Sequence, residues 1–250
     1  MKPTSARAES RLPSNSDRSR LSATIKDHLT QRIVAGVLRP NDELPSESDL
    51  AAQFKVSKPV VREALGSLAA FGLLKIRQGR PTIVQGLSSA PLDQFFGVAI
   101  RSSENGLREA LELRRALETE AAALSAGRAS ALHIEHLGEI IASMRQNPHD
   151  LDVWLPADFA FHMALVRSAG NTLLQFLVEA LSDVIRQSIR ALGSQTDLRD
   201  PVATLKRHEL IFDAIEAHDP VAARAAMHAH FDATQVGVLA IIQDPARLSR

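Results

Sequence analysis

LPSESDLAAQFKVSKPVVREALGSLAAFGLL, residues 44–74, carries the signals of two short helices joined by a tight turn. Ser46 followed by Asp49 makes a capping box, in which side-chain oxygens satisfy backbone donors left free at a helix start. Leu50, Ala51 and Phe54 form the apolar stripe of the first helix, and Lys55 and Val56 give the turn. Ser57 is placed to cap the second helix, with Pro59 in its first turn, where a missing N–H costs little. Val61, Ala64, Leu65 and Leu68 recur at helical spacing and must face a core, whereas Pro59, Arg62 and Gly66 fall on the opposite side and Lys58 projects from the N-terminal end. Exposed basic residues at the start of the second of two such helices suit a helix-turn-helix reading a major groove. An ordinary helical hairpin with a solvated charged face would leave the same pattern.

The flanks favour the first reading. Leu21, Ile25, Leu29 and Ile33 repeat every four residues ahead of Gly36, which suits a helix end. After Gly72, residues 74–77 and 82–84 read as two short strands around Gln78, Gly79 and Arg80, with Pro81 tolerated only at an edge. Three helices and a β-hairpin make a winged helix-turn-helix.

The run from IVAGVLRPNDELPSESDLAAQFKVSKPVVREALGSLAAFGLL to GRPTIV resembles the DNA-binding domain of GntR-type bacterial transcription regulators over about sixty-five residues. The resemblance implies that Lys58, Pro59 and Arg62 lie at the DNA on the recognition helix, and that Gln78, Gly79 and Arg80 form a wing tip at the minor groove. Three positions depart from the family pattern: Asn41 stands where Gly is usual, Lys58 where Arg is usual, and Ser48 where Arg is frequent. Lysine is a point charge and not a bidentate fork, so a guanine contact from position 58 should discriminate less.

Charge divides the 250 residues unevenly. Residues 1–85 carry 14 Lys/Arg against 8 Asp/Glu, and the remaining 165 carry 15 against 21, so a net charge of +6 is balanced by −6. A basic front suits a nucleic-acid domain joined to something else. The absence of cysteine excludes disulfides and fits a reducing cytoplasm. No apolar run approaches a membrane span, and no apolar signal segment opens the chain. Residues 1–20 read as a flexible tail too poor in large apolar groups to order, with Arg7, Arg11, Arg18 and Arg20 either solubilising it or brushing phosphate. Residues 21–85 are the winged domain, and 86–104 a linker with a short apolar piece around Phe95 and Phe96 that could dock on one of the domains. Residues 105–241 form an all-α unit of about six helices (105–128, 130–146, 150–169, 171–192, 199–218 and 220–241), followed by a tail at 242–250. The fold class is therefore mainly α.

Within the helical unit, polar residues interrupt apolar stripes. Leu155, Asp158, His162, Leu165 and Ala169 share one face; Leu205, His208, Phe212 and Ile215 share another; Met227, His230, Thr234 and Val238 a third. One Asp and three His on core-facing stripes can ligate one divalent cation, and carboxylate with neutral imidazole suits Zn²⁺, Ni²⁺, Mn²⁺ or Fe²⁺ without choosing among them. Core histidines satisfied by hydrogen bonds would show the same stripes. His28 belongs to the winged domain, and His133, His136, His149, His218 and His228 read as surface residues.

LELRRALETEAAAL, DFAFHMALVRSAGN and RHELIFDAIEAHDPVAARAAMHAHF resemble the ligand-binding FCD domain of the FadR branch, over roughly residues 105–240. The resemblance implies a metal on Asp158, His162, His208 and His230, with none of the four missing. It also puts Arg114 at the pocket, holding an effector's carboxylate as a guanidinium fork can; a surface pair with Glu118 is the alternative. Asn171 could reach the pocket or cap the helix that follows it. The implied protein is a homodimeric repressor that binds an inverted repeat and answers to a small organic acid. A metalloenzyme fused to a DNA-binding domain is the competing class. A hydrolytic site needs a general base, and no spare inward acid is evident, Glu179 and Glu216 lying near helix ends or on mixed faces.

Overall fold

The structure, a computed structural model, describes residues 15–194 and 200–243. It divides into two compact units between Pro91 and Leu92. The first unit holds α1 (Asn15–Val34), α2 (Glu47–Phe54), α3 (Lys58–Ala70), β1 (Leu74–Arg77) and β2 (Arg80–Val84). The helix α1 begins at Asn15, so the expected tail is helical from there on. The rest of that tail, with Arg7 and Arg11, and residues 244–250 of the expected C-terminal tail lie outside the described residues.

The two central helices form as their signals require. Ser46 and Asp49 make a reciprocal capping box, and Lys55 closes α2 in the left-handed region at φ 54°. Ser57 occupies the N-cap position of α3 but makes no side-chain cap bond. The main-chain oxygen of Ser57 already accepts from Val60 and Val61, which meets the same need. Val60, Val61, Ala64, Leu65 and Leu68 are buried against Ile25 and Leu29 of α1 and Leu74 of β1.

The wing differs from expectation at its tip. Arg80 pairs with Arg77 as the first residue of β2, leaving Gln78 and Gly79 (φ +69°) as the turn. Pairing slips between Lys75 and Arg77, opposite Pro81, which has no N–H to donate. Beyond Pro81 the strand has neighbours on both sides. Asn41 donates to Val84 O at 2.9 Å, Val84 to Asp42 O at 2.9 Å and Leu44 to Thr82 O at 2.8 Å.

The second unit contains α4 (Ala90–Ser102), α5 (Gly106–Arg128), α6 (Ala131–Gln146), α7 (Leu151–Ser168), α8 (Thr172–Ala180), α9 (Ser182–Ser194), α10 (Pro201–Glu216) and α11 (Pro220–Gln243). Most of the expected linker is thus a helix, with Phe96 and Ile100 packed on the core. The single helix expected over 171–192 breaks at buried Leu181, where neither Gly nor Pro marks the turn. Asp219 caps α11 by accepting from Val221 and Ala222 N–H at 3.0 Å each.

Helix α5 is the centre of this unit, with α7, α8, α9, α10 and α11 packed around it. Its buried alanines at 110, 121, 122 and 126 let neighbouring helices approach closely. The same helix brings Arg114, Glu118, Thr119 and Ser125 into the interior, which places ionisable groups where α7, α10 and α11 meet it.

Candidate metal centre and nucleic-acid interface

On the first unit, Lys58, Pro59, Arg62 and Gly66 are all exposed on one face of α3, and Gln78, Gly79 and Arg80 are exposed at the wing. Arg62 is not loose: its Nε donates to Glu47 Oε2 at 2.7 Å, which ties the second helix of the motif to the start of the first. Arg77, which the sequence reading passed over, stands opposite Arg80 and adds to the basic character of the wing.

In the second unit α7 supplies Asp158 and His162, α10 supplies His208 and α11 supplies His230, all buried. The ring centroids of the three histidines form a triangle with sides of 5.5, 5.2 and 4.7 Å. One potential ligand atom from each lies within 4.8 Å of the others. Donors sharing one ion at about 2.1 Å are at most about 4.2 Å apart, so small side-chain rotations would bring the trio onto a common centre. Asp158, expected as the fourth ligand, is not one of the three groups whose ligand atoms lie within 4.8 Å of one another; its Oδ1 lies beside His208, 3.2 Å from Nε2. That nitrogen still has no hydrogen-bond partner, because the contact is close without pointing along a donor direction. His208 Nδ1 and His230 Nδ1 are likewise buried and unpartnered. Two facing groups that fail to bond each other are arranged as co-ligands would be, and the donor set fits a divalent ion.

Burial is the main influence on His208 and His230. It lowers His208 to about 4 although the neighbouring Asp158 carboxylate opposes it, and it pushes His230 well below its ordinary value, helped by His208, His162, Arg114 and Arg207. Neutral imidazole is the form that binds metals.

Arg114 does pair with Glu118, Nε to Oε1 at 2.6 Å, but the pair is interior and not on the surface, with side chains 7% and 0% exposed. Its Nη2 is buried without a partner, and its guanidinium carbon sits 5.2 Å from the centre of the Phe231 ring. Glu118 corrects the statement that no inward acid exists. Burial would raise its carboxyl, yet Arg114 and His162 together hold it down at about 2, which makes it a poor proton acceptor. Arg207 is a second cation the sequence reading missed, with a buried, unpartnered Nε. Asn171 accepts from Leu174 N–H at 3.1 Å as the N-cap of α8, so its side-chain oxygen serves the helix. The surface assignments of His133, His136, His149 and His228 agree with their exposure. Val238's side chain lies outside the described residues.

Residues 21–84 match the family model described as bacterial regulatory proteins of the gntR family, and residues 109–233 match that of the FCD domain. A Bacillus subtilis protein named HTH-type transcriptional regulator LutR is 31% identical over 201 residues, covering 78% of this chain and 90% of LutR. The chain belongs to the GntR family. A further relative of this GntR protein is the HTH-type transcriptional repressor NanR of Edwardsiella tarda, 28% identical over 218 residues, 86% of this chain and 84% of NanR. Among solved structures, that of Streptococcus agalactiae GntR superposes with a TM-score of 0.70 at 27% identity, covering 86% of this chain and 99% of that one. These relatives and families are DNA-binding transcriptional regulators and not enzymes, which removes the metalloenzyme alternative. Among the described residues no helix is long and apolar enough to cross a membrane.

Proposed function

We propose that this GntR protein is a cytoplasmic repressor of the FadR branch whose operator affinity is set by a small carboxylate bound at a divalent-metal site. The observation that carries the reading is the buried trio His162, His208 and His230, with ligand atoms within 4.8 Å of one another and ring nitrogens of His208 and His230 left unpartnered. Leaving several donors or acceptors unsatisfied in an interior costs about 1–3 kcal/mol each, a cost that an ion would remove. Asp158, His162, His208 and His230 would hold it, and Zn²⁺, Ni²⁺, Mn²⁺ and Fe²⁺ all accept such a set. The ion would supply positive charge and open coordination positions. Arg114, with its buried Nη2 unpaired, is suited to take the effector's carboxylate.

Residues 21–85 read the operator, with Lys58, Pro59 and Arg62 at the major groove and Gln78, Gly79 and Arg80 at the minor groove. Residues 86–91 connect, and the helical unit from Leu92 onward binds metal and effector and dimerises. A single winged helix covers too short a site for a genome, so two copies read an inverted repeat. The repressor assignment follows the name that NanR carries.

Elemental analysis tests the metal and a footprint tests the DNA. The purified chain should hold about one divalent ion, as a site with a single set of ligands does. The His208→Ala/His230→Ala double variant should lose most of it. Arg62→Ala should weaken operator binding with the metal retained, against a salt dependence near −0.9 log units per phosphate contact. Full metal content in the double variant would sink the assignment.

A further inference from the structure

Glu118 is completely buried, and its two carboxylate oxygens serve different partners. Oε1 accepts from Arg114 Nε at 2.6 Å, one turn earlier on α5. Oε2 accepts from His162 Nδ1 on α7. An ionised carboxylate has no proton to give, so the hydrogen in the second bond sits on His162 Nδ1, which leaves Nε2 as the nitrogen through which the ring can take a metal. The other two rings have no carboxylate hydrogen bond of this kind: Nε2 of His208 and Nδ1 of His230 are buried without a partner, and the group that faces His208 as an acceptor is the main chain of Thr204. Of the three imidazoles, His162 is the one held by a carboxylate, and Glu118 holds it.

We infer that Glu118 is a positioning residue that holds His162 in the tautomer presenting Nε2 to a divalent ion, and that it joins this ligand to Arg114 through its other oxygen. The inference rests on the reading of the site as a metal site. Glu118 is not a ligand itself, because both of its oxygens are already committed. Its place is that of the outer carboxylate which orients a metal-binding histidine and makes it a better donor. The link to Arg114 gives the arrangement a second consequence. Arg114 spends only Nε on Glu118 and keeps Nη2 unpaired. A carboxylate arriving at Nη2 shares the guanidinium that Glu118 relies on, so effector and ion act on one common group. Whatever the effector does to metal affinity, the metal must do to effector affinity by the same factor.

Glu118→Gln keeps the shape and leaves one acceptor where there were two. Its oxygen can serve Arg114 or His162 but not both, and an amide nitrogen facing His162 demands the opposite tautomer. The probe is Zn²⁺ alone, titrated against a competing chelator on the full chain. Long-range ¹⁵N–¹H spectra read the His162 tautomer, and thermal unfolding checks that the variant is folded. The expected result is a loss of Zn²⁺ affinity of about 10- to 100-fold with His162 moved away from the Nδ1–H form. A folded Glu118→Gln protein that binds Zn²⁺ like the parent, with its tautomer unchanged, overturns the inference and leaves the metal site standing. A parent chain that binds no Zn²⁺ overturns both. Should the variant not fold, the metal-free parent still decides: the inference requires Nδ1–H at His162, and an Nε2–H spectrum refutes it.

Discussion

An imidazole sealed from water stays neutral, because the charged ring would lose its hydration without a matching counter-ion. Burial takes His208 from 6.5 to about 4. As pH drops below about 6.5, the unfolded chain binds protons that the folded chain refuses. The stability from His208 is therefore whole above 6.5 and fades toward 4, and His230, also held below its ordinary value, loses its contribution in the same direction as pH falls. Glu118 adds a lower window, since its carboxyl is held at about 2 in place of 4.5 and its contribution is lost between those values. Chelator-treated protein should accordingly unfold at lower urea near pH 5 than near pH 7.5, and His208→Asn should flatten that difference. Equal midpoints for the parent at the two pH values would contradict it. The four proposed ligands were legible in the sequence because a helical period of 3.6 puts each on an apolar stripe, and a buried polar residue there stands out. Glu118 was not legible. Glutamate is read outward by default, and what reverses that is a partner 44 residues away on another helix. Asn41, which stands where the resemblance would put Gly, sits at φ +77°, a conformation that Gly adopts freely and Asn tolerates better than most residues.

Helices with strong end signals came through the sequence reading within a residue or two, as α2 with its capping box and α11 with Asp219 and Pro220 illustrate. Those without such signals did not. The break at Leu181 is made by packing, and the length of α4 was hidden by Gly86, the serines and Pro91 in a stretch read as linker with a docking piece, although proline is well suited to a first helical turn. The junction of α4 and α5 is nevertheless tightly specified. A Cβ added at Gly106 would lie 2.0 Å from the carbonyl oxygen of Ile100, a main-chain atom that cannot swing aside as a side chain would. Gly106→Ala should therefore destabilise the chain by about 1–3 kcal/mol, the usual cost of overpacking. Gly127, near the end of the same helix, has nothing within 4 Å of its Cβ position and a negative-φ helical backbone, so Gly127→Ala should stabilise by about 0.5–1 kcal/mol. Chemical denaturation of the two variants checks both signs. A neutral Gly106→Ala would mean that α4 and α5 are not held at this spacing.

For the molecule as a whole, the residues proposed to read DNA and the histidine cluster belong to different compact units, with a net charge of +6 in residues 1–85 and −6 in the remainder. An effector bound in the helical unit shares no ligand atom with Lys58 or Arg62, so under the proposed function it can alter operator affinity only by favouring one arrangement of the protein over another. Differential affinity is then the whole of the mechanism. An effector that weakens DNA binding by some factor must itself bind the DNA complex more weakly by that same factor. Calorimetry with a small carboxylate on metal-loaded protein, with and without saturating operator duplex, measures it directly. The expected shift is about 5- to 150-fold, the range in which allosteric couplings fall. Arg114→Ala should weaken the effector in both conditions, because a buried guanidinium with an unpaired Nη2 is the natural partner of the carboxylate. Equal affinities with and without DNA would mean the two units are uncoupled, whatever the pocket holds. An effector indifferent to Arg114→Ala would move the carboxylate's anchor elsewhere, and Arg207, whose Nε is also buried and unpaired, would be the next cation to remove.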